Sequence, residues 1–332
     1  MIKTSLLILG SLISVITNLD AAQLNLDTQK IAVSGLSSGG YMANQFHIAH
    51  SKWVDKVGII AAGPYYCANN SIKEALEKCV NKSTETTNKH LFHQANNYAQ
   101  SGDIDPLENI ANSKVWLLRG IKDKTIAPEV NQALFTQYQN WLNEAHLKFI
   151  TDQAFGHHFP TLANGTKCDV SEPPFIGNCN YDAAGEMLSY LYGSLAPRVT
   201  ETTGKLQQFD QHSLGGDSAQ SLAKDGFAYI PKTCQQGEMC NIHVHFHGCQ
   251  QNLETIGTQY ITQNGINNWA DNNHLIVIYP QTKNSIFMPL NPQGCWDWWG
   301  YTDDKYATKK GQQVMAIKNI VMSFSSKIKI GE

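Results

Sequence analysis

Charge is scarce in this chain, and none of it accumulates. Asp, Glu, Lys and Arg make up 16% of the 332 residues, and the net charge is −3. There is no basic excess, which excludes a nucleic-acid-binding surface of the usual kind. The chain is not acidic enough to read as disordered either. It contains no internal repeat and no low-complexity tract. No cysteine pair has the C-x-x-C spacing of a zinc ribbon, which argues against a zinc site. Beyond the first 22 residues, no stretch is long and apolar enough to span a bilayer.

What is present is a globular composition, 42% hydrophobic, with enough length for a large core. The N-terminus reads as a targeting segment. Lys3 supplies a positive end, an apolar run follows, and small residues at Ala21 and Ala22 offer a cleavage site. Residues 1–22 are therefore expected to be a signal peptide, and 23–332 a secreted or periplasmic mature chain that leaves the membrane after cleavage. Eight cysteines fit that compartment. Many pairings are possible. The pattern of short loops favours bridges between sequence neighbours: Cys67 with Cys79, Cys168 with Cys179, Cys234 with Cys240, and Cys249 with Cys295.

The chain is organised around Gly35-Leu36-Ser37-Ser38-Gly39-Gly40, a G-x-S-x-G turn. An apolar run at 30–34 precedes it and a helical stretch at 41–50 follows. Strand, tight turn and helix are the setting of a nucleophile elbow, in which small neighbours let a serine adopt a strained backbone and lift its hydroxyl clear of the sheet. Ser38 is the rival nucleophile, but it would put Leu36 where the elbow needs glycine. An ordinary glycine-rich turn is the bland alternative.

Further strands are expected at 57–63, 115–120 and 147–150, with helices at 128–144 and 181–192. This alternation implies a mostly parallel sheet flanked by helices, whose strand ends converge on one edge. Three polar residues follow predicted strand ends: Ser37, Asp123 and His157. Their order, Ser, Asp, His, is that of the α/β-hydrolases. Asp103, Asp105 and Asp152 compete with Asp123, and His158 competes with His157. The chemistry would be acyl transfer, with Ser37 as nucleophile, His157 as base and Asp123 orienting the imidazole. It requires no cofactor and no metal.

Residues 193–225 are polar and glycine-rich, and strands then resume at 227–230, 241–248 and 274–280. A helix is expected over 256–271 and another over 311–327. The histidines His243, His245 and His247 share one strand face. That spacing also occurs in zinc sites, but a polar strand end near the active site is the preferred reading. His247-Gly248-Cys249 has the His-Gly character of an oxyanion loop, yet it lies about 210 residues after the elbow instead of before it. The economical explanation is a single, circularly permuted α/β-hydrolase domain in which 193–225 join the old ends. Oxyanion donors would then be the N–H groups of Ser38 and Cys249. Trp296, Trp298 and Trp299 crowd a loop that a Cys249–Cys295 bridge would tie beside them. At least one, Trp299 first, is expected to line the ester-binding cleft.

Several motifs together carry a resemblance. They are Ser34-Gly35-Leu36-Ser37-Ser38-Gly39-Gly40, Gly156-His157-His158-Phe159-Pro160-Thr161 and Pro173-Pro174-Phe175-Ile176-Gly177-Asn178-Cys179. Phe209-Asp210-Gln211, His245-Phe246-His247-Gly248-Cys249-Gln250 and Gly294-Cys295-Trp296-Asp297-Trp298-Trp299 complete the set. The chain resembles secreted poly(3-hydroxybutyrate) depolymerases of the single-domain, circularly permuted type. The resemblance implies a serine esterase acting on a polyester polymer or oligomer as a monomer. It also supports His157 as the base, since that family places it directly after the glycine. A separate polymer-binding domain is not expected, so adsorption is expected to use the catalytic domain itself. An esterase for small soluble or other polymeric esters, and a non-catalytic binding protein on a hydrolase scaffold, are the alternative readings.

Overall fold

The computed structural model describes residues 24–82 and 85–326; the expected signal peptide lies outside them. Among the described residues, eight strands form one sheet. At its centre is β1 (Leu26–Leu36), flanked by β2 (Val54–Ile60) and, on the other side, by β10 (Cys240–Phe246). Outward from β2 lie β3 (Lys114–Gly120) and β4 (Leu147–Gln153), both parallel to it. Outward from β10 lies β11 (Leu275–Tyr279), also parallel. The edge is finished by β9 (Asp225–Ile230), antiparallel to β11, and β8 (Lys205–Asp210), antiparallel in turn to β9. The mostly parallel sheet with flanking helices is the α/β-hydrolase fold.

The sequence explains the central strands. Residues 31–36 of β1 and all of β11 are buried. They are covered by helices on both faces, so they read as continuous apolar runs and do not alternate. Two apolar clusters fill the two sides: one around Phe46, Ile317 and Trp296, the other around Met187, Phe159 and Tyr260. Helix Ser38–Ala49 starts directly after the elbow, three residues earlier than the pattern suggests, and is buried along its whole length. Helix Ala183–Tyr192 is capped by Asp182, whose carboxylate accepts from the Gly185 N–H at 2.9 Å.

Two expectations need revision. The helix expected over 256–271 is three short pieces, Leu253–Ile256, Gln259–Gln263 and Ile266–Ala270. Gly257 (φ 60°) and Gly265 (φ 83°) hold left-handed backbone that a continuous helix does not contain. Segment 193–225 is more than a connection, because it supplies the edge strand β8 and the start of β9. The sequence pattern also gave no sign of a second, small parallel sheet made of β5 (Phe159–Thr161), β6 (Thr166–Lys167) and β7 (Ile176–Asn178), with β7 in the middle.

All eight cysteines are bridged between sequence neighbours, as expected: Cys67–Cys79, Cys168–Cys179, Cys234–Cys240 and Cys249–Cys295. Among the described residues, no helix is long and apolar enough to cross a membrane.

Candidate active site

Ser37 sits between the end of β1 and the first turn of helix Ser38–Ala49 with φ 56° and ψ −122°. This is left-handed territory for a residue with a side chain, and its cost is of order 1–3 kcal/mol. The flanking glycines make the turn possible. A Cβ on Gly35 would lie 2.2 Å from Gly39 O, and one on Gly39 would lie 2.3 Å from His247 O. No side chain larger than hydrogen fits at either position.

Asp123 follows β3 and His157 follows β4, so parallel topology brings both to the edge where Ser37 stands. His157 Nε2 is 2.9 Å from Ser37 Oγ, and His157 Nδ1 is 2.9 Å from Asp123 Oδ2. Asp123 is buried, and its other oxygen accepts from the N–H groups of Thr125 and Ile126 at 2.8 and 3.0 Å. Burial alone would raise its pKa, but the bond and charge of His157 and those two N–H groups outweigh it, so the carboxyl stays below its usual value. The His157 backbone is anchored as well, its N–H donating to Ser171 Oγ at 2.7 Å.

The competing residues lie elsewhere. His158 is buried and hydrogen-bonds Cys168 O through Nε2 at 2.8 Å. Asp103 pairs with Lys310, Asp105 pairs with Lys309, and Asp152 bonds its neighbour Gln153. Ser38 Oγ lies 3.4 Å from the Trp296 N–H. The ring nitrogens of His243 and His245 are occupied by protein hydroxyls: Ser34 Oγ bonds both rings, at 2.6 and 2.7 Å, and Tyr192 and Tyr260 take the outer nitrogens. These two histidines are buried, and burial lowers the pKa of each.

The His247-Gly248-Cys249 turn at the end of β10 lies against the elbow. A Cβ on Gly248 would lie 3.3 Å from Leu36 O and 3.4 Å from Ser37 Cβ. Ser38 opens its helix, where the first N–H groups have no partner within the helix. Among the described residues, nothing accepts from the Cys249 N–H. The Cys249–Cys295 bridge joins this turn to the tryptophan loop.

Comparison with known proteins follows this geometry. Residues 11–177 match the prolyl oligopeptidase family. A poly(3-hydroxybutyrate) depolymerase of Delftia acidovorans is 39% identical over 308 residues, covering 91% of this chain. A polyhydroxybutyrate depolymerase of Talaromyces funiculosus is 36% identical over 318 residues, covering 90% of this chain and 92% of that protein. The chain belongs to the polyhydroxybutyrate depolymerase family. It spans 61% of the length of the Delftia relative. Among solved structures, PHB depolymerase from Penicillium funiculosum superposes with a TM-score of 0.84 at 33% identity, covering 92% of this chain and 99% of that one. A PHB depolymerase complexed with an R3HB trimer matches with the same values.

Beside the bridge runs a groove of about 630 Å³, and its walls include Cys249, Cys295, Trp298, Trp299 and Leu290. Trp299 is partly exposed and packs on Tyr301 with ring centroids 4.8 Å apart, whereas Trp298 is mostly buried and stacks on Tyr41 at 4.6 Å. Trp296 departs from the cleft-lining expectation. It is fully buried, edge-on to Phe246 at 5.0 Å, because its position in the loop points it into the core. Asp297 shapes this loop: its carboxylate collects the N–H groups of Gly300, Tyr301 and Thr302 at 2.7–2.9 Å.

Sequence reasoning missed an exposed apolar loop whose Met288 and Leu290 line the groove. In this loop Ile286, Phe287 and Met288 are 74%, 77% and 88% exposed, and Leu290 is 52% exposed. Their loop is closed at its base by a reciprocal pair of 2.9 Å backbone bonds between Ser285 and Asn291. Ile72 and Leu76 face the same groove from the Cys67–Cys79 region. The available signal was the run Ile-Phe-Met-Pro-Leu between polar residues, which is too short to be a strand of the buried kind.

Proposed function

We propose that this chain is a secreted serine esterase that hydrolyses poly(3-hydroxybutyrate) or related short-chain polyhydroxyalkanoates through an acyl-enzyme. The observation that carries the reading is the unbroken chain from Ser37 Oγ through His157 to Asp123, with both links at 2.9 Å, beside an apolar groove. Family membership supplies the substrate class.

In this mechanism Ser37 Oγ attacks the ester carbonyl carbon, and its proton passes to His157 Nε2. Asp123 fixes the Nδ1–H tautomer and stabilises the imidazolium. The carbonyl oxygen becomes an oxyanion facing the N–H groups of Ser38 and Cys249. Loss of one such donor typically costs about 10²–10³ in rate. Collapse expels the alcohol end of the polymer, which takes the proton back from His157. Water, deprotonated by His157, then attacks the acyl-enzyme and releases the hydroxyacid with Ser37 restored. Trp299 and the exposed residues Ile286 to Leu290 offer the apolar contact a polyester chain needs, and a patch of this kind on a water-soluble surface marks an interaction site.

The strand order supports a permuted chain. The oxyanion turn ends β10, which pairs directly with the elbow strand β1 although it lies in the other half of the sequence. The four disulfides support an oxidising, extracytoplasmic destination. Clearing of a poly(3-hydroxybutyrate) suspension, run beside hydrolysis of p-nitrophenyl butyrate, tests the proposal. Both activities are expected. Hydrolysis of the small ester alone would reassign the chain to a general esterase, and neither activity would leave a binding protein.

A further inference from the structure

The turn that carries Cys249 is held from both sides of one residue. The Gly248 N–H donates to Gln251 Oε1 at 2.6 Å, and the Gly248 carbonyl accepts from His247 Nδ1 at 2.7 Å. That carbonyl and the Cys249 N–H belong to one planar peptide unit and point in opposite directions. Fixing the carbonyl therefore fixes the direction of the N–H. The other ring nitrogen of His247, Nε2, faces the Thr282 N–H at 3.2 Å. A donor at that place requires Nε2 to be unprotonated, so Nδ1 carries the proton. Burial keeps this ring neutral, with its pKa lowered to about 4.

Gln251 reaches further. Its Nε2 donates to Pro174 O and Phe175 O at 2.9 and 3.1 Å. Phe175 O also accepts from the Phe159 N–H at 2.9 Å, two residues beyond His157. One buried amide thus connects the turn beside the nucleophile to the segment that carries the base.

We propose that His247 and Gln251 are the positioning pair of the oxyanion site, holding the Gly248–Cys249 peptide so that the Cys249 N–H points at the developing oxyanion. The inference rests on the roles proposed above for Ser37 and Cys249. Both side chains act through the backbone and touch no reacting atom.

Two replacements of His247 separate its two bonds. His247→Asn keeps a donor near the Nδ1 position, and His247→Gln keeps reach towards Thr282 but loses that donor. With p-nitrophenyl butyrate, His247→Gln loses about 10²-fold in kcat at unchanged KM, whereas His247→Asn stays within about tenfold of the wild type. The acyl-enzyme carbonyl stretch, read by infrared difference spectroscopy, moves up in His247→Gln towards that of a free ester and stays in place in His247→Asn. Gln251→Met, which removes the acceptor of the Gly248 N–H, gives the same loss confined to kcat and carries the test if His247→Gln does not fold.

Equal kcat in the two histidine variants, or an unmoved carbonyl frequency in His247→Gln, overturns the proposal. Failure of both His247→Gln and Gln251→Met to fold makes the pair structural and overturns it too. Fluorophosphonate labelling of the wild type keeps the two failures apart. Without a label on Ser37 the reading of the site itself falls; with the label present and the variants unaffected, only the positioning pair falls.

Discussion

The catalytic edge of the sheet and the exposed apolar loop beside the groove are built on opposite terms. At the edge, Asp123 and His157 are buried, and every polar atom that matters has a short, directed partner. In the loop, Phe287 and Met288 are more than three-quarters exposed and offer apolar surface to solvent, while backbone bonds between Ser285 and Asn291 close its base and Ser285 Oγ donates to Phe287 O at 2.8 Å. The difference teaches that bond-breaking and polymer contact are separable. Directed hydrogen bonds set the geometry of one, and undirected apolar area serves the other.

Replacing Ser37 by Ala breaks the comparison on the chemical side. Activity on soluble ester and on polymer is expected to fall together, on the order of 10⁶-fold in kcat, while binding to polymer granules in a sedimentation assay is unchanged. Asp123→Asn comes next, with an expected drop of about 10⁴-fold on both substrates, because the imidazole loses its preferred tautomer. Steady-state kinetics at neutral pH checks it, and a loss on polymer alone would contradict the assignment. On the other side, the double change Phe287→Ser and Met288→Ser is expected to slow clearing of polymer suspension by about tenfold, as the two side chains, partly covered by polymer, together contribute about 1–2 kcal/mol. Turnover of p-nitrophenyl butyrate should stay as it is. An equal loss on both substrates would merge the two regions into one.

Acid sharpens the comparison further, since the buried interior contains histidines that resist protonation. Burial lowers the pKa of His47 to about 3, of His243 to about 3 and of His247 to about 4. In the unfolded chain these rings take up protons near the ordinary value of 6.5. The unfolded state therefore binds more protons below that value, and stability falls as pH drops from about 6.5 towards 3–4. Asp123 adds a second loss lower down, because its depressed pKa contributes stability above the ordinary carboxylate value that disappears as pH falls through the folded one. Thermal melts from pH 8 to pH 4 should show Tm falling below pH 6.5, and a flat profile would contradict the burial of neutral histidines.

The legible parts of this molecule are those whose signal is local. Gly35 and Gly39 announce the elbow because their own close approach demands glycine, and Asp123 and His157 stand just past short apolar runs of strand length. Trp299 and Trp296 show the limit. Both occur in one short loop, and composition does not say which ring turns inward. The helix expected over 256–271 failed at Gly257 and Gly265, whose left-handed backbone outweighed the apolar pattern. Ser171 and Gln251 were invisible for a different reason. Their partners lie 14 and 77 residues away for the His157 N–H and Pro174 O bonds, so only the folded chain reveals what they hold. The exposed residues 286–290 gave no reading at all, because a five-residue apolar run carries no period that says which way its side chains face.

The most direct measurement is to quench the protein in acid during turnover of a 3-hydroxybutyrate oligomer and map the covalent adduct by mass spectrometry. The account predicts one hydroxybutyryl group, carried on the peptide that contains Ser37 and absent from Ser37→Ala. An adduct on another residue, or undiminished turnover by Ser37→Ala, would contradict it.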